Sequence, residues 1–201
     1  MKFVVAGNEN AFKELCEGQD QIEWLHIAET AGFAQHADAN AFFNLYDDAW
    51  QADYKSVTTP VFINSVAHPL SNGGHVIRFN GWQGFIKHHT WELAGPMQDS
   101  AVKVMEALNK KYLLTPDEPG FISARIIAMI INEAWFALGD EISTEAEIDT
   151  AMKLGTNYPY GPFEWGYKIG MKNVYELLLQ MSVLHKKYLP APGIQKLIEA
   201  S

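Results

Sequence analysis

The sequence predicts an α/β domain followed by an all-α domain, and three observations carry that reading. Short apolar runs alternate with helical spacing through the first half of the chain. Pro116-Asp117-Glu118-Pro119-Gly120 then breaks the pattern, and nearly everything beyond it has helical periodicity. The expected domains are residues 1–116 and 117–201.

Taken in order, Phe3-Val4-Val5-Ala6 reads as a strand, residues 10–17 as a helix, and Trp24-Leu25-His26-Ile27-Ala28 as a second strand. Residues 40–50 have helical spacing, with Ala41, Phe42, Leu45 and Ala49 on one face. Pro60-Val61-Phe62-Ile63-Asn64 is a third strand, bounded by polar residues. The turn signal Asn72-Gly73-Gly74 introduces a fourth, Gly74-His75-Val76-Ile77-Arg78-Phe79. A helix over 100–111 places Val102, Met105, Ala107 and Leu108 together, and Leu113-Leu114 reads as an edge strand. Alternation of this kind predicts a mostly parallel sheet with crossover helices. Beyond the break, helices are expected over 121–139, 144–154, 162–170 and 173–188. Thr144 sits where an N-cap belongs, and Gly155 and Gly170 read as helix-ending glycines.

Composition narrows the function classes. Apolar residues make up 48% and charged residues 19%, the balance of a chain that packs a core. The net charge of −9, without a basic tract, argues against nucleic acid, whose phosphates need Lys and Arg. No apolar run approaches the roughly 20 residues that span a bilayer, and the start is too quickly polar for a signal peptide. No membrane partner and a cytoplasmic location are therefore expected. The single cysteine, Cys16, reads as a small boundary residue. No Gly-x-Ser-x-Gly elbow, Walker loop, CxxC pair or HExxH helix occurs.

Three runs carry more information. They are Pro119-Gly120-Phe121-Ile122, then Ile148-Asp149-Thr150-Ala151-Met152-Lys153-Leu154-Gly155, then Tyr158-Pro159-Tyr160-Gly161-Pro162-Phe163-Glu164. This ordered set resembles the C-terminal helical domain of the 3-hydroxyacyl-CoA dehydrogenases. The resemblance runs from about residue 119 to 178 and continues weakly through Tyr188-Leu189-Pro190-Ala191-Pro192. It implies a shortened Rossmann-like parallel-sheet domain followed by a helical dimerisation domain. It further implies a homodimer, NAD or NADP as cofactor, an acyl-CoA-like ligand in an interdomain cleft, and a place in fatty-acid metabolism. Residues 158–164 also have a structural reading: two prolines and a glycine fix a turn, and Glu164 sits near a helix N-terminus.

The first half departs from the pattern the resemblance implies. The G-x-G-x-x-G fingerprint lets backbone approach a pyrophosphate at a helix N-terminus. Here the run is Gly7-Asn8-Glu9-Asn10-Ala11-Phe12, which keeps only the first glycine. Glu29, after the second strand, is the candidate for the adenosine ribose. The family's H-F-F-N-P run, whose histidine is the base, matches Ile77-Arg78-Phe79-Asn80-Gly81, and isoleucine transfers no proton. The orienting glutamate falls on His89 by an ungapped count, and a short shift reaches Glu92. In the family's P-G-F-x-x-N-R run the asparagine is Ala124 here, ahead of Arg125. Its N-T-S run matches Asn64-Ser65-Val66.

Other residues offer replacements. His75, His88, His89 and Glu92 cluster in sequence, so either His75 or His89 is a relocated base oriented by Glu92, or all are ordinary loop and edge residues. A metal is not expected, since two adjacent histidines on a strand face opposite ways. Arg78 and Arg125 are anion-binding candidates, with pairing to Asp or Glu as the alternative. Asn64 and Asn80 join them as substrate candidates. The aromatics Trp82, Phe85 and Trp91 lie in one loop-rich stretch and either line a pocket or pack a seam. Three functions remain open: an impaired or inactive oxidoreductase-family protein (a pseudoenzyme) that keeps acyl-CoA or nucleotide binding, a non-enzymatic dimerisation or interaction protein, and an active NAD(P)-dependent reductase with a relocated base.

Overall fold

The computed structural model describes residues 1–70 and 74–200 and divides into two compact units, Met1–Phe121 and Ile122–Ser201. The turn signal at Asn72-Gly73 lies outside the described residues. In the first unit the order is β1 (Lys2–Ala6), α1 (Glu9–Cys16), β2 (Glu23–Ile27), β3 (Ala41–Asn44), β4 (Val61–Asn64), β5 (Val76–Phe79), β6 (Thr90–Ala94), α2 (Asp99–Ala107) and β7 (Lys111–Leu114). The strands form one seven-stranded sheet in the order β2-β1-β3-β4-β5-β6-β7. Every pairing is parallel except β5 with β6. The chain leaves β1 for β2 on one side and returns to β3 on the other, so the carboxyl end of β1 is a topological switch point.

The two faces of this sheet are covered differently. Phe3, Val5, Phe43, Phe62 and Ile77 pack with Leu15 of α1 and with Val104 and Met105 of α2. On the other face Val4, Phe42, Val61 and Ile63 pack with Phe33, Ala49 and Tyr54. Phe33 and Ala49 come from short 3-10 turns, Thr30–Gln35 and Ala49–Gln51, which stand where crossover helices are expected. That substitution makes the unit short.

Three sequence expectations are corrected here. Residues 40–50 are not a helix: Ala41–Asn44 is a strand buried on both faces. Phe43 stacks with Phe62 on one side while Phe42 meets Phe33 on the other. A short, fully buried run does not reveal its period, which is why helical spacing misled. Trp91, assigned to a loop-rich stretch, lies in β6 and stacks on Phe79 at 4.6 Å. Gly155 does not end its helix, because the turn is made by Asn157 in the left-handed region at φ 56°.

The segment 116–120 stays with the first unit because Arg78 holds it. This side chain is fully buried on β5. Nε donates to Ser65 O at 2.8 Å, Nη2 to Val66 O at 3.2 Å, and both terminal nitrogens to Glu118 O at 3.3 Å. Nη1 also donates to the Asp117 carboxylate, and the guanidinium lies over the Phe121 ring. Gly120 N then donates to Val66 O at 2.7 Å. Burial draws the Arg78 pKa below the usual arginine value, and Asp117 opposes that shift.

The second unit comprises α3 (Ile122–Gly139), α4 (Glu145–Thr156), α5 (Pro162–Ile169), α6 (Met171–Leu184) and α7 (Pro192–Glu199). By length and composition α3 is apolar enough to cross a membrane, a test that the core helix of a soluble protein also passes. Its Ala124, Ile127, Ala128, Ile131 and Trp135 are buried. Asn132 on the same helix donates to Leu189 O at 3.0 Å and accepts from Ala191 N at 2.8 Å, pinning the approach to α7.

Candidate functional site

Ligands of open α/β sheets bind beyond the carboxyl ends of the strands. In this sheet that edge carries three buried asparagines, Asn44, Asn64 and Asn80, at or just past the ends of β3, β4 and β5. Asn44 donates to the Tyr54 hydroxyl at 2.8 Å and accepts from Tyr46 N at 3.1 Å. Burial pushes the Tyr54 phenol up to about 12, so it stays a neutral donor, here to Ala49 O at 2.6 Å. Asn64 donates to Asp47 Oδ1 at 3.2 Å. Its own Oδ1 is buried and has no hydrogen-bond partner among the described residues. Gly81 presses on that side chain: a Cβ there would lie 2.7 Å from Asn64 Cβ. Asn80 Oδ1 accepts from Trp82 N at 3.3 Å.

Across the switch point the Tyr46 hydroxyl donates to Ala28 O at 2.8 Å, linking the ends of β3 and β2. A recess of about 340 Å³ opens there, lined by Glu29, Thr30, Asn44, Tyr46, Asp48 and Gln51 among others. Glu29, the ribose candidate, is thus beside a recess. Gly7, the other cofactor candidate, is buried against Leu45, whose Cβ would stand 2.8 Å from a Cβ on Gly7.

The turn from Gly7 into α1 uses part of its own hydrogen-bonding capacity internally. Asn8 caps the helix, its Oδ1 accepting from Ala11 N at 2.9 Å. Glu9 puts a carboxylate in the first turn and pairs with Lys13 at 3.3 Å. Phe12 of α1 packs against the core and stacks flat on His26 of β2, ring centroids 4.3 Å apart. His26 Nε2 in turn donates to Gly7 O at 2.7 Å. An NAD or NADP diphosphate needs free helix N–H groups and close backbone approach. These residues do not fit it.

The relocated-base candidates separate. His75 precedes β5 at the amino edge of the sheet, where its Nε2 donates to Tyr54 O at 3.1 Å. At about 3.3 Å per residue, that is roughly 17 Å along the strand from Asn80. His75 and the asparagine row therefore do not share a crevice. His88 and His89 precede β6, and because β6 runs antiparallel to β5 they lie at the carboxyl edge. Their loop is clamped from two directions. Glu14 of α1 accepts from Gly84 N at 3.0 Å and Lys87 N at 3.2 Å. Lys110 Nζ donates to Ile86 O at 2.9 Å and His88 O at 2.8 Å, and lies 4.9 Å from the centre of Trp91. Burial brings Lys110 down to about 8, against the opposing pull of Glu14. Burial, then Lys87, holds His88 below the usual histidine value, while Glu14 and Glu92 act the other way. His89 is exposed beside a second recess of about 220 Å³ with Glu14, Glu17, Lys87 and Lys110. Among the described residues no group of three His, Cys, Asp or Glu is placed to hold a metal. Cys16 is half-buried, and its thiol is pushed up to about 12.

Ile77, to which the resemblance assigns the family base, lies mid-strand in the core with Phe62 and Phe79. Arg78 has its donors committed within the unit, which is the pairing alternative rather than a free anion site. Arg125 is half-buried on α3 with an interaction of its own, and Ala124 beside it is fully buried.

In the second unit the motif residues meet at one corner. Asp149 of α4 is buried and accepts from Phe163 N at 2.8 Å and Glu164 N at 3.1 Å, capping α5 from outside. A Cβ on Gly161 would overlap that carboxylate. Glu164 accepts from Gly161 N at 3.1 Å and from Lys153 Nζ at 2.5 Å. Residues 120–201 match the model of the 3-hydroxyacyl-CoA dehydrogenase C-terminal domain. The 3-hydroxyadipyl-CoA dehydrogenase of Escherichia coli K12 is 42% identical over 92 residues, 45% of this chain and 19% of that protein. The 3-hydroxybutyryl-CoA dehydrogenase of Clostridioides difficile is 35% identical over 108 residues, 51% of this chain and 37% of that protein.

By this match residues 120–201 are a 3-hydroxyacyl-CoA dehydrogenase C-terminal domain, and the chain spans less than half the length of these relatives.

The fold agrees. The solved (S)-3-hydroxybutyryl-CoA dehydrogenase of Ralstonia eutropha matches 99% of this chain and 93% of its own, with a TM-score of 0.72 at 17% identity. FadB2 of Mycobacterium tuberculosis gives 0.73 at 14% identity. The family match therefore lies in the helical domain, and likeness in the sheet domain is a likeness of fold. The self-satisfied turn at Phe12 and His26 went unread in the sequence, although the missing third glycine was its signal. The Glu14–Lys110 clamp had no local signal, since its partners are far apart in the chain.

Proposed function

We propose that this chain is a 3-hydroxyacyl-CoA dehydrogenase-like protein that binds an acyl-CoA-like thioester without carrying out the family's hydride transfer. The burial of Ile77 carries this reading. A base must reach the substrate hydroxyl, and a side chain closed between Phe62 and Phe79 neither reaches solvent nor holds a proton. The names of the relatives supply the thioester class: each acts on a hydroxyacyl-CoA. The protein is soluble in this reading, and the helical unit serves assembly into a homodimer. Ile122, Ile126 and Phe136 on α3, and Leu179 and Val183 on α6, are exposed apolar residues that support an assembly role.

Calorimetric titration with acetoacetyl-CoA and with free CoA tests the binding half. Saturable binding of the thioester is expected, and no heat with either ligand would leave only the assembly role. Sedimentation tests the homodimer. The catalytic alternative places the base at His89 with Glu92. NADH oxidation by the native chain that disappears in His89→Ala would replace the present reading with that one.

A further inference from the structure

We infer that the first unit is closed to dinucleotides by its own phosphate turn. The fold presents the switch point at which a dinucleotide would lie, with Glu29 beside a recess at the correct strand end. Four features of the diphosphate cradle are nevertheless altered or used internally. The Ala11 N–H is taken by Asn8, and Glu9 sets a negative charge at the positive end of the helix. Gly7 is packed against Leu45 and its carbonyl is held by His26. Phe12 stands at the third fingerprint position, where glycine lets helix and strand close up, and its ring fills the gap by stacking on His26. A diphosphate entering here would have to displace the Asn8 cap and sit against the Glu9 carboxylate. The closure is built from the side chains of Asn8, Glu9, Phe12, His26 and Leu45, so no single rotamer change opens it.

The inference is independent of Ile77. A chain that bound NADH without oxidising it would overturn the closure and leave the loss of the base untouched.

The test is a titration of the full chain with NADH, ADP and adenosine, read by intrinsic fluorescence and calorimetry. NADH and ADP are expected to show no saturation up to about 1 mM, the weak end of specific binding. Adenosine binding with ADP excluded would support the closure, because the recess at Glu29 would then act without the phosphate turn. Absence of binding by all three supports it too. Saturation by NADH or ADP at micromolar concentration would overturn it. A Glu9→Gly/Phe12→Gly variant, shown to be folded by circular dichroism, is expected to bind ADP at least tenfold more tightly than the native chain. A folded variant without that gain would overturn the assignment of closure to this turn. If the variant does not fold, the native titration alone decides.

Discussion

The N-termini of α5 and α1 both receive side-chain caps, and the two corners carry opposite relations to the family pattern. At α5 the donors of Phe163 and Glu164 are taken by Asp149, Gly161 makes room for that carboxylate, and Glu164 returns to Gly161 N. These residues make up the runs by which the family is recognised. At α1 the donor of Ala11 is taken by Asn8, with Glu9 and Phe12 where the fingerprint has glycines. That turn departs from the family. A motif that holds a corner together persists whatever chemistry the protein performs. A motif that holds a ligand can be rewritten into internal contacts without loss of fold.

The largest expected effect lies outside both corners, and it sets their scale. Arg78→Ala leaves an aspartate and three carbonyls around a buried hole, and loss of about 3–5 kcal/mol is expected in urea unfolding. A loss below about 1 kcal/mol would mean that the segment 116–120 is not held as described. Next, Asp149→Ala at the α5 corner should cost about 1–2 kcal/mol, since it removes a buried cap shared by two N–H groups. Gly161→Ala should be at least as harmful, because the added carbon overlaps the carboxylate. Asn8→Ala at the α1 corner should cost less, about 1 kcal/mol, because that cap is exposed. Equal costs at the two corners would break the comparison.

A further expected effect is a pH dependence. Lys110 titrates near 8 in the folded chain against an ordinary value of 10.5, so the unfolded chain binds the extra proton between these limits. Stability should therefore rise with pH across about 8 to 10.5 through this group. Lys110→Met should lack that increment in melts run at both ends of the window, and an unchanged slope would contradict the assignment.

How much was legible follows from where each signal sits. The helical unit was legible because its caps and turns are local, from Thr144 and the residues 158–164 to Gly170, whose φ of 96° ends α5. Strands β1, β2, β4 and β5 were legible as short apolar runs between polar breaks. β3 was not, since burial on both faces erases periodicity, and β6 was hidden behind an aromatic-rich loop. At the site, Glu9 and Phe12 at the second and third fingerprint positions could be read directly. The distance between His75 and the carboxyl edge could not, because adjacency in sequence says nothing about which end of a strand a residue occupies. The fate of Arg78 was equally hidden: its partners lie 12 to 40 residues away.

The most direct test of the central claim is NADH and NADPH oxidation by the purified chain with acetoacetyl-CoA, run beside Arg125→Ala made in the same host. Both proteins are expected to match the enzyme-free blank. Turnover by the native chain that falls in the variant would contradict it, and would mean that a base other than Ile77 serves the reaction.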